Sequence, residues 1–238
     1  MGKKYELSEE TIEVNGRILH RLKAVRDFSN VKAGDLGGYV ESEKNLSHFG
    51  NAWVYDDAWV LDNALVSSDA KVYDNALVSG DAWVSGIAMV LDNAWVSDNA
   101  KVLDNAWVYD NAKVLGNACV YDNAKVYDNA CVSDNAKVYD NAWVSGDAKV
   151  LGNALVETRK DYIVFKNFWS SGRYFTWTRS NNKWQVGCFY GTGKELVEKA
   201  YEDSEESGRE YERVVKYVES ILADEKKEEL EKVKNERV

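Results

Sequence analysis

From Asn51 to Thr158 the chain repeats a six-residue pattern eighteen times without a gap. Ala holds the second position and Val the fourth in every unit, as in Asn51-Ala52-Trp53-Val54-Tyr55-Asp56 and Asn153-Ala154-Leu155-Val156-Glu157-Thr158. Side chains two apart on an extended backbone face the same way, so Ala and Val point inward and positions three and five outward. Position six is mostly Asp or Gly and the next position one mostly Asn or Asp. These residues tolerate left-handed backbone and bond to their own turns, which predicts a corner in every unit. Three units then close a triangular coil. The eighteen units stack into about six coils, roughly 29 Å tall at ~4.8 Å per layer.

The flanks break the period. Thr11–Val14, Asn15-Gly16 and Arg17–Leu22 predict a β-hairpin, because both positions of an Asn-Gly turn accept positive φ. Gly34-Asp35-Leu36-Gly37-Gly38 reads as a tight bend leading to Tyr39-Val40. A phosphate cradle would need a strand–loop–helix context that is not there. Counted back in sixes, Leu46 falls at the Ala position and His48 at the Val position. Residues 1–50 are therefore expected to be an N-terminal hairpin and cap, since terminal repeats of a stack are atypical.

After Thr158 the composition changes. Strands are expected at Tyr162–Trp169, Arg173–Arg179 and Lys183–Tyr190, forming an antiparallel meander. Helices follow at about Lys194–Glu202, with Thr192 as its cap, and at Arg209–Ala223, with a break over Ser204–Gly208. The expected division is 1–50, 51–158, a small α+β domain over 159–223, and a charged tail over 224–238.

The spacing of Val54 to Ala58 and Val60 to Ala64 resembles the hexapeptide repeat of left-handed parallel β-helix proteins. The resemblance covers the 108 residues of the repeat and implies a mainly β fold and a left-handed coil. The near-perfect units and glycine-rich cap look most like repeat proteins carried by bacteria and their phages or prophages, and the C-terminal segment is similar to a domain of such proteins. The family also includes acyltransferases, which use a catalytic His, and γ-class carbonic anhydrases, which bind zinc through three His. This chain has only His20 and His48, both ahead of the regular units. Cys119 and Cys131 occupy outward positions on different faces, unlike paired metal ligands. No catalytic residue, metal or cofactor is expected. An acyltransferase stays as the least favoured alternative.

The outward positions carry the functional signal. Every third unit stacks, and one face collects Trp53, Tyr55, Tyr73, Trp107, Tyr109, Tyr127 and Trp143. Exposed apolar stripes mark interfaces, and Trp and Tyr are common hot-spot residues. Self-association, with a trimer favoured by the resemblance, and capture of a partner protein both fit; so does plain β-propensity. A second candidate site is Arg173, Trp177, Arg179 and Lys183. Basic and aromatic residues interleaved on a strand can stack bases and hold phosphates, although Trp177 fits a core position as well. Thr192-Gly193-Lys194 at a helix start is a further, weaker anion site.

The net charge of −10 lies in the repeat, with six Lys against fifteen Asp and one Glu. That excludes an overall basic nucleic-acid footprint. It leaves solubility, or mimicry of DNA toward a basic partner, as uses of the acidity. No apolar run approaches the ~20 residues of a membrane span. The three cysteines, with no apolar leader at the N-terminus, fit a reducing cytoplasm. The expected function is a non-enzymatic interaction protein, a phage or prophage accessory factor that inhibits or sequesters a host defence component. Nucleotide or nucleic-acid binding through the C-terminal segment is the alternative. End-to-end polymerisation is a further reading that the caps disfavour.

Overall fold

The computed structural model describes residues 2–235. Its repeat is a parallel β-solenoid. Each unit contributes one two-residue strand, from Trp53–Val54 to Leu155–Val156, and each strand pairs in parallel with the one three units on, as Trp95 with Lys113. Two faces have six strands, and the third continues into the N-terminal segment to reach nine. Every Ala and Val of the units is buried in one continuous core.

The corners follow from the polar residues. Asp at position six takes φ between 52° and 60° in eleven units, Ser68 takes φ 60° in another, and Gly takes the same region in five others. The Asp carboxylate accepts the backbone N–H of position six one coil later: Asp92 from Asp110 at 3.2 Å, Asp98 from Gly116 at 2.9 Å, Asp128 from Gly146 at 2.9 Å. Beside them run amide ladders such as Asn105–Asn123–Asn141. Much of the acidity thus serves turn geometry and coil-to-coil bonding.

Within the stack, backbone N–H groups point toward the C-terminal coil and carbonyls toward the N-terminal one: Trp95 N–H to Ala112 at 2.9 Å, Ser97 N–H to Val114 at 3.0 Å. The first coil is therefore left with carbonyls and the last with N–H groups, and buried backbone groups need partners. At the N-terminal end β1 (Tyr5–Val14) and β2 (Arg17–Ala24) form the expected hairpin, and β3 (Leu36–Val40) pairs with β2 and, in parallel, with Trp59–Val60. Ala58 receives the Tyr39 N–H, Ala64 the Asn45 side-chain amide at 2.9 Å, and Ala52 the Lys4 ammonium at 2.7 Å. At the other end the acceptors are oxygens: Tyr162 Oη for Ser145, Thr176 Oγ1 for Lys149, Ser180 Oγ for Leu155, and the Asp161 carboxylate for Glu157 and Thr158.

Two cap expectations are corrected. Gly37 and Gly38 lie inside β3, not in a bend. An added Cβ would fall 2.6 Å from the Val54 carbonyl at Gly37 and 2.5 Å from that of Ala58 at Gly38, so only glycine lets this strand lie on the first coil. Leu46 bridges Val66 and so stands at the Val position, not the Ala position. His48 and Phe49 form a two-residue insertion in the corner before Gly50, which shifts any count made backward from Asn51.

The described chain forms two compact units, one holding residues up to Phe165 with Thr176–Asn181, the other Lys166–Phe175 and the chain from Asn182 onward. In the second unit Lys183–Val186 pairs antiparallel with Phe189–Gly191, where one longer strand was expected. Gly187, at φ 57°, makes the turn between them. Helix α1 (Gly193–Asp203) starts at a Thr192–Glu195 capping box, and α2 (Glu205–Asn235) follows after Ser204 alone. The expected break is smaller because Gly208 is helical: it gives room to the Tyr201 ring, which a Cβ would meet at 2.2 Å. The charged segment after Ala223 continues as helix to Asn235; residues 236–238 lie outside the described residues. The buried apolar residues of the second unit are Phe175, Trp184, Val186, Leu196, Ala200, Val215 and Val218.

Candidate functional site

The aromatic face is largely self-covered. Trp53 is 1% exposed. Its position does point outward, but the cap folds over it, with Phe28 edge-on at 5.3 Å and Tyr5 at 6.2 Å. It is core, not interface. Tyr55 stacks on Tyr73 at 4.3 Å, and Tyr109 on Tyr127 at 5.0 Å. Burial raises the phenol pKa of Tyr55, Tyr73 and Tyr109. The Lys125 ammonium lies over both Trp107, at 4.7 Å, and Trp143, at 5.4 Å, and Arg159 covers Trp143 at 3.8 Å. These rings use one another and the lysines along the stack. Of the seven, Trp143 is the most open to solvent.

The C-terminal cluster divides. Trp177 and Arg179 belong to the first unit, Arg173 and Lys183 to the second. Trp177 is 1% exposed, so it offers no free ring face to a base. Arg179 lies 5.7 Å from that ring and donates from Nε to the Lys160 carbonyl at 3.1 Å. Arg173 is exposed and Lys183 half-buried. The helix start at Thr192-Gly193-Lys194 is occupied by its own anion. Glu195 accepts the Thr192 N–H at 2.7 Å, and that bond holds its carboxyl pKa down.

His48 has a structural place in the cap. Its Nδ1 accepts the Lys4 N–H at 3.2 Å and its ring stacks on Tyr5 at 4.2 Å. Burial lowers its pKa, which favours the neutral form that this bond requires. Cys119 and Cys131 are half-buried, and burial raises both thiols. Among the described residues no group of three or more His, Cys, Asp or Glu side chains is arranged to hold a metal. No described helix is long and apolar enough to cross a membrane.

One apolar cluster escapes the stripe count. Phe49 is 71% exposed, Ile87 52% and Trp83 41%. They share a corner. The turns at Gly50, Ser68, Gly86 and Asp104 stack on one another there: a Cβ on Gly50 would meet the Ser68 carbonyl, Asp69 donates to the Gly86 carbonyl at 2.8 Å, and Ile87 donates to that of Asp104 at 2.7 Å. Phe49 precedes the first of these turns and Ile87 follows the third, two layers or ~10 Å away. Trp83 lies four residues before Ile87, its indole bonded to Ser67 at 3.0 Å. Ile87 is also the one first-position residue in the repeat that is neither Asn nor Asp. That exception was visible in the sequence. Phe49 was not, because its exposure depends on the insertion.

A family model described as the YdcK β-solenoid repeat matches residues 70–86. An Escherichia coli (strain K12) protein named "Uncharacterized acetyltransferase YdcK" is 35% identical over 74 residues, which cover 27% of this chain and 23% of that protein. The chain thus spans under a quarter of the length of this relative. Both likenesses agree with a β-solenoid repeat protein.

Proposed function

We propose that this chain is a non-enzymatic interaction protein whose solenoid presents the Phe49–Trp83–Ile87 corner to a partner protein. The observation that carries this reading is the exposure of three large apolar side chains at and beside one corner, one of them, Ile87, where every other unit places Asn or Asp. A stack bonded coil to coil loses little freedom on binding, which favours affinity. The resemblance to phage- and prophage-borne proteins supports a host component as the partner, and inhibition or sequestration of a defence protein is the specific form proposed. The body is proposed to act as a trimer in the cytoplasm, again by resemblance.

The test uses a photo-crosslinking residue at position 87 in cells, with position 137 on the regular surface as control. A discrete adduct with one host protein at 87 and none at 137 is expected, and Phe49→Ser should abolish it. An adduct with a second copy of the chain would move the corner to self-association. No adduct would remove the reading.

The name of the relative favours a second reading, an acetyltransferase. It rests on a match to 23% of that protein. Binding of acetyl-coenzyme A by the full chain, lost in a His20→Ala or His48→Ala variant, would favour it.

A further inference from the structure

The second unit carries a half-open pocket of about 430 Å³ between the Lys183–Gly191 hairpin, α1 and α2. That size is within the range of small-molecule sites, about 300–1,000 Å³. Its floor is apolar, formed by Val186, Phe189, Leu196, Ala200 and the Tyr211 ring. Its polar lining is uneven: Arg173 and Lys199 bring two cations and Asp203 one carboxylate. Neither the Arg173 guanidinium nor the Lys199 ammonium is within ion-pair distance of a carboxylate among the described residues. Arg173 lies against Gly187, where a Cβ would stand 3.3 Å from its Cδ, so bare backbone accommodates the arm of the arginine at the rim.

We propose that this pocket is a binding site for a small organic anion with an aromatic or apolar body, the head group held by Arg173 and Lys199. A concave, partly desolvated wall focuses the field of unpaired cations. The planar guanidinium suits a carboxylate or phosphate. Phe189, Leu196 and Tyr211 supply the area that an apolar body covers. Cys188, an exposed free thiol on the lining, reports occupancy. This site is in the other unit from the solenoid corner and stands or falls separately.

The experiment uses the full chain with naphthoate, its neutral analogue naphthamide and adenosine monophosphate. Affinity is read by calorimetry, and occupancy by the rate at which N-ethylmaleimide alkylates Cys188, resolved from Cys119 and Cys131 by peptide mass. Naphthoate should bind, slow alkylation of Cys188, and lose roughly tenfold or more in affinity in Arg173→Gln/Lys199→Gln. Naphthamide should bind more weakly and be indifferent to those changes. If adenosine monophosphate binds with the same dependence and naphthoate does not, the head group is a phosphate. Equal affinity for naphthoate and naphthamide, bound anion without protection of Cys188, or no binding of either anion at millimolar concentration overturns the proposal. Both substituted residues are exposed, so unchanged thermal unfolding should accompany the loss.

Discussion

The Lys4 ammonium donates to the Ala52 carbonyl at 2.7 Å while fully buried under the cap. It also reaches the Gly50 carbonyl at 3.5 Å and lies 5.0 Å from the Phe28 ring. The first coil has no coil before it to donate to its carbonyls. Backbone from β3 serves Ala58, the Asn45 amide serves Ala64, and a lysine serves Ala52.

This arrangement makes stability depend on alkaline pH. Burial, then the nearby Arg26 charge, lowers the Lys4 pKa to about 8 against partial opposition from Asp69. Unfolded lysine titrates near 10.4. Between about 8 and about 10.4 the unfolded chain binds more protons, so this group makes stability rise with pH across that window. It adds no pH dependence below it. The slope approaches ~1.4 kcal/mol per pH unit for one proton. Urea unfolding at a series of pH values should show the wild type gaining on Lys4→Met from pH 8 to pH 10. A pH-independent difference would mean that the lysine is not desolvated in the cap.

Corner glycines should divide by what stacks on them. Gly86 has φ 76°, and an added Cβ would fall 2.6 Å from the Asp104 carbonyl. Gly146 has φ 66°, but its Cβ would meet nothing within 4 Å because no coil follows it at that corner. Both pay the left-handed backbone penalty of about 1 kcal/mol when replaced by Ala. Gly86→Ala should cost ~2 kcal/mol more, since backbone must move. Gly146→Asp, which restores the commoner corner residue, should be close to neutral. Chemical denaturation of the three variants checks the order.

The regular body was legible because its information is local and repeated. Ala52 and Val54 already state which side is inward, and the Asp-Asn pairs state where the corners lie. What escaped was set by chain that returns from elsewhere. Trp53 has the same outward position as Trp143, yet Phe28 and Tyr5 bury it. Leu46 reads as an Ala-position residue until the His48-Phe49 insertion is seen in three dimensions. Thr176 and Ser180 look like ordinary strand and turn residues of the C-terminal segment, and they close the last coil. The pocket under Arg173 was hidden for the same reason: Lys199, Asp203 and Tyr211 come from helices whose packing no period predicts.

The C-terminal closure gives the last test. Thr176 is buried, and its Oγ1 accepts the Lys149 N–H at 2.9 Å; Ser180, exposed, accepts that of Leu155 at 2.6 Å. Thr176→Val keeps the shape and removes the acceptor, which strands a buried N–H at a cost of about 1–3 kcal/mol. Ser180→Ala should cost less, because water can replace the hydroxyl. Hydrogen exchange should therefore accelerate at Lys149 in the first variant and at Leu155 in the second, with protection of mid-stack amides such as Trp95 retained. The closure also guards an edge. An uncovered coil end presents unpaired strand donors, and an open sheet edge is a template for pairing with another chain. Light scattering of the double variant should show mass rising with concentration beyond that of the wild type. If exchange accelerates and the mass does not change, the side-chain caps seal the backbone but are not what keeps the coil ends apart.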